Sequence, residues 1–416
     1  MNTTINLKEV YEAERSLKGV INKTPLEYNE RLSELYDAKI YLKREDLQPV
    51  RSYKIRGAYN KISSLNAEQR KNGIVAASAG NHAQGVALAC KKLKINGVIF
   101  MPVTTPSQKI VQVQMHGTTF AEVKLVGDTF DEAYKTAMAY CKEKKMDFVH
   151  PFDDMKIIAG QATVGLEIIA QIDEKIDILF APLGGGGLLS GVSSVFKEVS
   201  PDTKIIAVEP ENAASMKEAV ENGSPITLTK IDTFVDGAAV KRVGDFTYEI
   251  CSRLVSEYTN VPVGMVCTSI LEMYNRDGII TEPAGVLSVS ALENFKTEIK
   301  GKTVVCVISG GNNDITRMED IKEKSLMYEG LKHYFVVTFP QRAGALKEFL
   351  LEVLGDNDDI TFFEYSKKTS RSTGPAVVGI QLKKKEDFEP LVARMKEKGF
   401  LGEYLNHKPE FFGVLI

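Results

Sequence analysis

The stretch RSYKIRGAYN, residues 51 to 60, sets Lys54 between Tyr53 and Ile55, with Ser52 two residues before it and Arg56 two after. In water a lysine is a protonated, inert surface charge, and most lysines are nothing more. Held among apolar and aromatic side chains it loses solvation, gives up its proton more readily, and becomes an amine able to join a carbonyl or take up a proton. Ser-x-Lys alone does not separate these cases, so the rest of the chain has to.

Three glycine-bearing stretches supply groups such an amine could work beside. In APLGGGGLLSGV, residues Gly184, Gly185, Gly186 and Gly187 stand between an apolar strand pattern and a helical one, followed by Leu188. Backbone without Cβ atoms can approach an anion closely, and the helix start behind it adds partial positive charge, which suits a phosphate. The spacing fits neither GxxxxGK[ST] nor GxGxxG, so a nucleoside triphosphate or dinucleotide is disfavoured. SAGNHAQG places Ser78, Gly80, Asn81 and His82 after the run IVAA and at the start of another helical pattern, where a hydroxyl, an amide and bare N–H groups suit a carboxylate or a ring hydroxyl. ISGGNND puts Ser309 at a third such turn.

The elements behind these turns repeat from about residue 40 to 325. GIVAAS leads into GNHAQGVALACKKL, GVIFMPV into TPSQKIVQVQMHG, DILFAPL into GLLSGVSSVFKEV, and TVVCVIS into GGNNDITRMEDI. Short Val- and Ile-rich runs alternating with helical patterns predict βαβ units and a parallel sheet buried on both faces. Ligands of such sheets sit beyond the carboxyl ends of the strands, which is where the glycines are. Past residue 330 the rhythm changes. HYFVVTF reads as a strand, GALKEFLLEVLG as a helix ending on Gly355, DITFFEYS and GPAVVGIQL as two strands, and KEDFEPLVARMKEKG as a helix ending on Gly399, with a further strand around GEYLNH. That order predicts a small α+β module joined through TRMEDIKEKSLMYEGLK.

Composition bounds the partners. A chain of 416 residues predicts more than one domain, and 44% hydrophobic with 26% charged residues is ordinary for a soluble protein. A net charge of -3 leaves no electrostatic footprint for nucleic acid or an anionic membrane, so the expected partner is a small molecule. Cys90, Cys141, Cys251, Cys267 and Cys306 lack disulfide or zinc spacing and read as reduced thiols of a cytoplasmic protein. MNTTINLKEV lacks the features of a secretory signal, and no run approaches the ~18 apolar residues of a membrane span.

Taken in order and spacing, Ser-x-Lys, Ser-x-Gly-Asn-His, the tetraglycine turn and Ser-Gly-Gly-Asn resemble the fold type II pyridoxal-phosphate enzymes. TPLEYNERLSELYDAKIYLKREDLQPVRSYKIRGAYN, SAGNHAQGVA, HPFDD, GQATVGLEI, PLGGGGLLSGV, EPAGVLSVSAL and FPQRAGALKEFL narrow the likeness to the biosynthetic threonine dehydratases, over nearly the whole chain. The resemblance implies an α/β catalytic domain of two parallel-sheet subdomains, tryptophan synthase β-like, at 1–325 and a single ACT-like regulatory domain with its connecting segment at 326–416. It implies pyridoxal 5'-phosphate as cofactor. Lys54 joins it as a Schiff base and, once freed, removes the substrate α-proton; Gly184 to Gly187 and the Leu188 amide hold the phosphate. Asn81 meets the ring hydroxyl, and Ser309 faces the ring nitrogen, where a serine leaves the ring less cationic than an aspartate does. Ser78, Gly80, Asn81 and His82 hold the substrate carboxylate.

The implied reaction is dehydration and deamination of L-threonine to 2-oxobutanoate and ammonia, the first step of isoleucine biosynthesis. Its implied regulator is L-isoleucine, with L-valine as a second candidate, acting on a homotetramer. His116, His150, His333 and His407 read as structural. No metal is expected: the serine racemase branch places an acidic side chain shortly after the strand IIAVEP to help bind a cation, and here Ser215 stands there. A serine/threonine dehydratase or racemase shares the same turns, and a silent amino-acid sensor on this scaffold remains the reading from outside enzymology. Threonine and serine are not separated by residue pattern, since both carry the leaving hydroxyl.

Overall fold

In the computed structural model, which describes residues 4–365 and 373–408, the apolar runs form strands. In chain order these are β1 (Leu26–Tyr28), β2 (Lys39–Arg44), β3 (Ile74–Ala77), β4 (Gly97–Met101), β5 (Ala121–Leu125), β6 (Asp147–Phe148), β7 (Ile178–Pro182), β8 (Lys204–Pro210), β9 (Glu257–Val261) and β10 (Thr303–Ile308). All side chains of β3, β4, β7 and β10 are buried, as expected where helices cover both faces of a parallel sheet.

The chain divides into two compact units, Met1–Ile315 and Thr316–Ile416. The first holds two sheets. One has the order β1-β2-β10-β7-β8-β9, parallel apart from β1; the other, β5-β4-β3-β6, is parallel throughout. In both, the chain leaves the carboxyl end of a strand and enters a helix: Lys54–Ser63 follows β2, Asn81–Leu93 follows β3, and Gly187–Val199 follows β7. The segment after β10 departs from the predicted helix, because residues 310–314 are irregular and regular helix begins only at Met318. Those residues are drawn into hydrogen bonds with the loop before Lys54, which a helix would have taken away.

The second unit is an antiparallel sheet, β12-β13-β11-β14, made of β11 (Lys332–Pro340), β12 (Asp359–Tyr365), β13 (Thr373–Gln381) and β14 (Leu401–Tyr404). Phe335, Val337 and Phe339 alternate with less buried neighbours along β11, the period-two signal of a strand with one covered face. They share a core with Phe349 and Leu391 from the helices Ala345–Glu352 and Phe388–Glu397. The first helix stops at Glu352, short of the predicted Gly355, whose N–H instead donates to the Asp358 carboxylate at 2.7 Å. Residues 409–416 of the expected regulatory domain lie outside the described residues.

Candidate active site

Lys54 opens its helix, and that helix is fixed from behind. Two residues on, Arg56 is fully buried and pairs with Glu45 at 2.7 Å and with Glu167 at 2.7 Å. A Cβ on Gly160 would come within 2.6 Å of Gly57 Cα, so the helices Lys54–Ser63 and Met155–Ile169 meet backbone to backbone. The Lys54 amine donates to the Pro151 carbonyl at 3.1 Å and lies 5.3 Å from the centre of the Tyr53 ring. Burial brings its pKa down to about 8, against the partial opposition of the Glu282 carboxylate.

Ser309 sits at the carboxyl end of β10, buried, with its hydroxyl donating to the Ala284 carbonyl at 3.3 Å and its own carbonyl accepting from the Tyr53 N–H at 3.2 Å. The following turn braces the loop before Lys54: Gly311 N–H donates to the Arg51 carbonyl at 2.9 Å and Asn312 Nδ2 to the Val50 carbonyl at 2.8 Å. Asn81, first residue of its helix, ties these turns together. Its amide donates to Glu282 at 2.5 Å and its oxygen accepts from Asn312 at 2.7 Å. Glu282 is buried, and burial first, then the nearby Asp236 charge, lifts its pKa to about 7.

The tetraglycine turn has two uses for its missing side chains. Gly186 adopts φ +91°, a conformation that favours glycine, and Gly187 begins a helix whose first N–H groups lack carbonyl partners one turn earlier. A Cβ on Gly185 would stand 2.2 Å from the Phe152 ring, and one on Gly184 would stand 2.8 Å from Ala238 Cα. The glycines therefore also let neighbouring chain close in. Asp153, beside Phe152, accepts from the N–H groups of Asp245, Phe246 and Thr247, and the Thr247 hydroxyl donates to the Gly185 carbonyl at 2.7 Å.

The loop expected to receive the substrate carboxylate divides. Ser78 Oγ accepts from the Gly80 N–H at 3.2 Å, and the space a Cβ of Gly80 would enter is open. The His82 ring is turned into the core, donating to the Val149 carbonyl at 2.9 Å, and burial together with the Lys54 charge pushes its pKa to about 3. What His82 leaves at the helix start is its N–H. Glu282 and Asn312, which hold Asn81, went unassigned in the sequence although they lie within EPAG and SGGNND; their partner is 201 and 231 residues away, and no local pattern signals that pairing.

The residues fit pyridoxal phosphate. A desolvated amine, a glycine turn at a helix start and an amide each lie beyond the carboxyl end of a parallel strand, and two hydroxyls in the segments beside Lys54 and Glu282, Ser52 Oγ and Thr281 Oγ1, are buried without a hydrogen-bond partner. Among the described residues no group of three or more His, Cys, Asp or Glu side chains could hold a metal, and no helix is long and apolar enough to cross a membrane.

Residues 17–310 match the family described as pyridoxal-phosphate dependent enzyme, and residues 323–415 the C-terminal regulatory domain of threonine dehydratase. The chain is 56% identical to the L-threonine dehydratase biosynthetic IlvA of Bacillus subtilis, over 100% of this chain and 98% of that one. It is 54% identical to its namesake in Halalkalibacterium halodurans, over 99% of each. Among solved structures, threonine deaminase isoform 2 from Solanum lycopersicum superposes with a TM-score of 0.72 at 37% identity, covering 78% of this chain and 96% of that one. Serine racemase from Dictyostelium discoideum does so at 0.69 and 31%, covering 75% and 99%.

Proposed function

The chain belongs to the biosynthetic threonine dehydratases, pyridoxal-phosphate dependent enzymes with a C-terminal regulatory domain, and from that premise we propose that it converts L-threonine to 2-oxobutanoate and ammonia with Lys54 as the proton-transferring amine. The observation that carries this is the Lys54 amine itself, desolvated and held by the Pro151 carbonyl. When bound, pyridoxal phosphate supplies a carbonyl for the amine and an electron-withdrawing ring that acidifies the substrate Cα–H. With a pKa of about 8, about a tenth of the free amine is unprotonated at pH 7, enough to take that proton and return it. Gly184 to Gly187 and the Leu188 N–H would hold the phosphate, Asn81, its amide fixed by Glu282 and Asn312, would meet the ring hydroxyl, and Ser309 would face the ring nitrogen. Ser78, Gly80 and the N–H groups of Asn81 and His82 receive the substrate carboxylate. Loss of water across Cα and Cβ and its later return as ammonia leaves balance the reaction.

The second unit supports regulation by an aliphatic amino acid. Phe339, Gln341, Arg342, Gly344, Leu350 and Phe363 line a hollow of about 550 Å³ beside the start of the helix Ala345–Glu352. Apolar walls suit a branched side chain, and the helix N–H groups with Gln341 and Arg342 suit its carboxylate. L-isoleucine, then L-valine, fits this chemistry; coupling of ~1–3 kcal/mol corresponds to a 5- to 150-fold change in threonine affinity, across a homotetramer. Five buried thiols without disulfides suit a cytoplasmic enzyme.

The test is production of 2-oxobutanoate by the cofactor-loaded protein from L-threonine and from L-serine as comparison, with and without L-isoleucine. Absence of 2-oxobutanoate from threonine overturns the reading of the first unit. A threonine saturation curve unmoved by isoleucine or valine overturns that of the second.

A further inference from the structure

His150 lies two residues beyond β6, in the segment His150-Pro151-Phe152-Asp153-Asp154. Its Nδ1 accepts two backbone hydrogen bonds, from Phe152 N–H at 3.2 Å and from Asp153 N–H at 2.7 Å. An imidazole nitrogen accepts only while it carries no proton, so the turn requires a neutral ring with its hydrogen on Nε2. The ring packs edge-on against Phe152, with centroids 4.7 Å apart, and against Phe148 at 6.2 Å.

Every residue of the turn so closed is used. Pro151 presents the carbonyl that accepts from Lys54. Phe152 fills the hollow left by Gly185, Asp153 accepts from three N–H groups at the start of the helix Asp245–Leu254, and Asp154 caps the helix Met155–Ile169 and pairs with Lys61 of the lysine's own helix at 2.6 Å.

We propose that His150 is a positioning residue for Lys54: its Nδ1 lone pair closes the 150–153 turn and thereby aims the Pro151 carbonyl at the reactive amine. The inference rests on Lys54 being that amine and adds how the amine is held. Lys54 from its helix, His82 from the helix Asn81–Leu93, and Asp153 and Asp154 from its own loop are the charged or titratable groups acting on the ring or its neighbours. Burial, aided by the Lys54 charge, outweighs the two carboxylates and lowers the His150 pKa, so the ring is neutral near pH 7. Acid that protonates it removes both hydrogen bonds at once.

Two substitutions separate positioning from bulk. Asparagine places its oxygen near the site of Nδ1 and can accept from N–H groups two and three residues on, as in an Asx turn, whereas glutamine places its oxygen nearer the site of Nε2. In the cofactor-free protein, competitive acetylation across a pH series, read by mass spectrometry of the Lys54 peptide, gives the amine's titration without cofactor, substrate or turnover. The expected result is that His150→Gln shifts that titration and, in the loaded enzyme, lowers kcat about tenfold or more with KM for threonine changed less than threefold, while His150→Asn restores most of both. Equal behaviour of the two variants, whether both intact or both impaired, overturns the proposal, as does a kcat loss in His150→Gln with an unchanged amine titration. Thermal melts confirm that each variant is folded. If the protein turns over no threonine, the amine titration still decides the positioning claim alone.

Discussion

Around Lys54 several polar groups are partnered by residues from far along the chain, whereas the hollow beside Gly344 is walled in part by side chains that water reaches. Asn81 meets Glu282 and Asn312, Ser309 meets Tyr53, and Pro151 meets Lys54, so four strand-end segments and the loop bearing Glu282 are cross-braced. In the second unit Leu350 is 44% exposed, Leu351 70% and Phe363 38%. On the proposed reading the contrast follows from the tasks: proton transfer needs an amine held within a fraction of an ångström, and recognition of an aliphatic side chain needs mainly apolar area. Substitutions in the first region should therefore cost chemistry, and those in the second should cost response.

The largest effect falls on the amine. Lys54→Ala should lower threonine turnover by about a thousandfold or more, since on the proposed reading one group is both the cofactor's partner and the base, while melting and far-ultraviolet circular dichroism stay near wild type. Retained turnover breaks the comparison at its first term. Next is Gly185→Ala, whose added methyl meets the Phe152 ring. Overpacking of this kind costs ~1–3 kcal/mol, and displacement of the turn should weaken cofactor binding about tenfold or more in a titration. Gly185→Asp should be worse, because it adds negative charge where the phosphate is expected. Pairing Gly185→Ala with Phe152→Ala sharpens the point: if steric room is what the glycine provides, the second substitution relieves part of the first.

Glu282 gives a pH test. Its carboxyl has a raised pKa of about 7 in the fold, so the folded chain holds that proton more tightly than the unfolded one, and the stability this provides is full below the ordinary carboxylate range and lost as pH rises through 7. Glu282→Gln, which keeps an acceptor for Asn81 and cannot ionise, should gain stability relative to wild type at pH 8 compared with pH 5, by a few kcal/mol at most. Melting of both proteins without cofactor at the two pH values measures it. A difference that does not change with pH means the carboxyl is not held neutral.

The same contrast governs what the sequence made legible. The buried strands stood out because runs such as VVCVI in β10 carry no polar residue, and β11 because HYFVVTF is rich in aromatic and β-branched residues. The tetraglycine turn and Asn81 were locally marked, each at the start of a helical pattern after an apolar run, and Lys54 gained meaning only beside them. The two-residue β6 left no pattern to detect, and Glu282, Asn312 and the turn His150 closes act through partners that only folding brings near. Gly185 was half legible: its bare backbone suggested an anion site, while the Phe152 ring against it depends on a segment more than thirty residues earlier. Gly355 misled because it looked like a helix stop and instead serves a turn with Asp358.

The smallest effect is expected where the walls are most exposed. Leu350 lines the hollow of the second unit, and its partial exposure means that a polar replacement leaves little buried area unmatched. Leu350→Gln should therefore change stability by no more than about 0.5 kcal/mol, the usual range for surface substitutions. What it removes is apolar contact for a bound aliphatic side chain, worth on the order of 1 kcal/mol at ~25 cal/mol per Å² over a few tens of square ångströms. Isoleucine should then be needed at about fivefold higher concentration to shift threonine saturation, while saturation without isoleucine keeps its wild-type curve. Isothermal titration with isoleucine, beside the saturation assay, reads the affinity directly. An unchanged isoleucine affinity would move the effector site off this hollow. A loss of threonine turnover without any isoleucine would mean that the second unit supports catalysis itself, and the division between the two regions would fail.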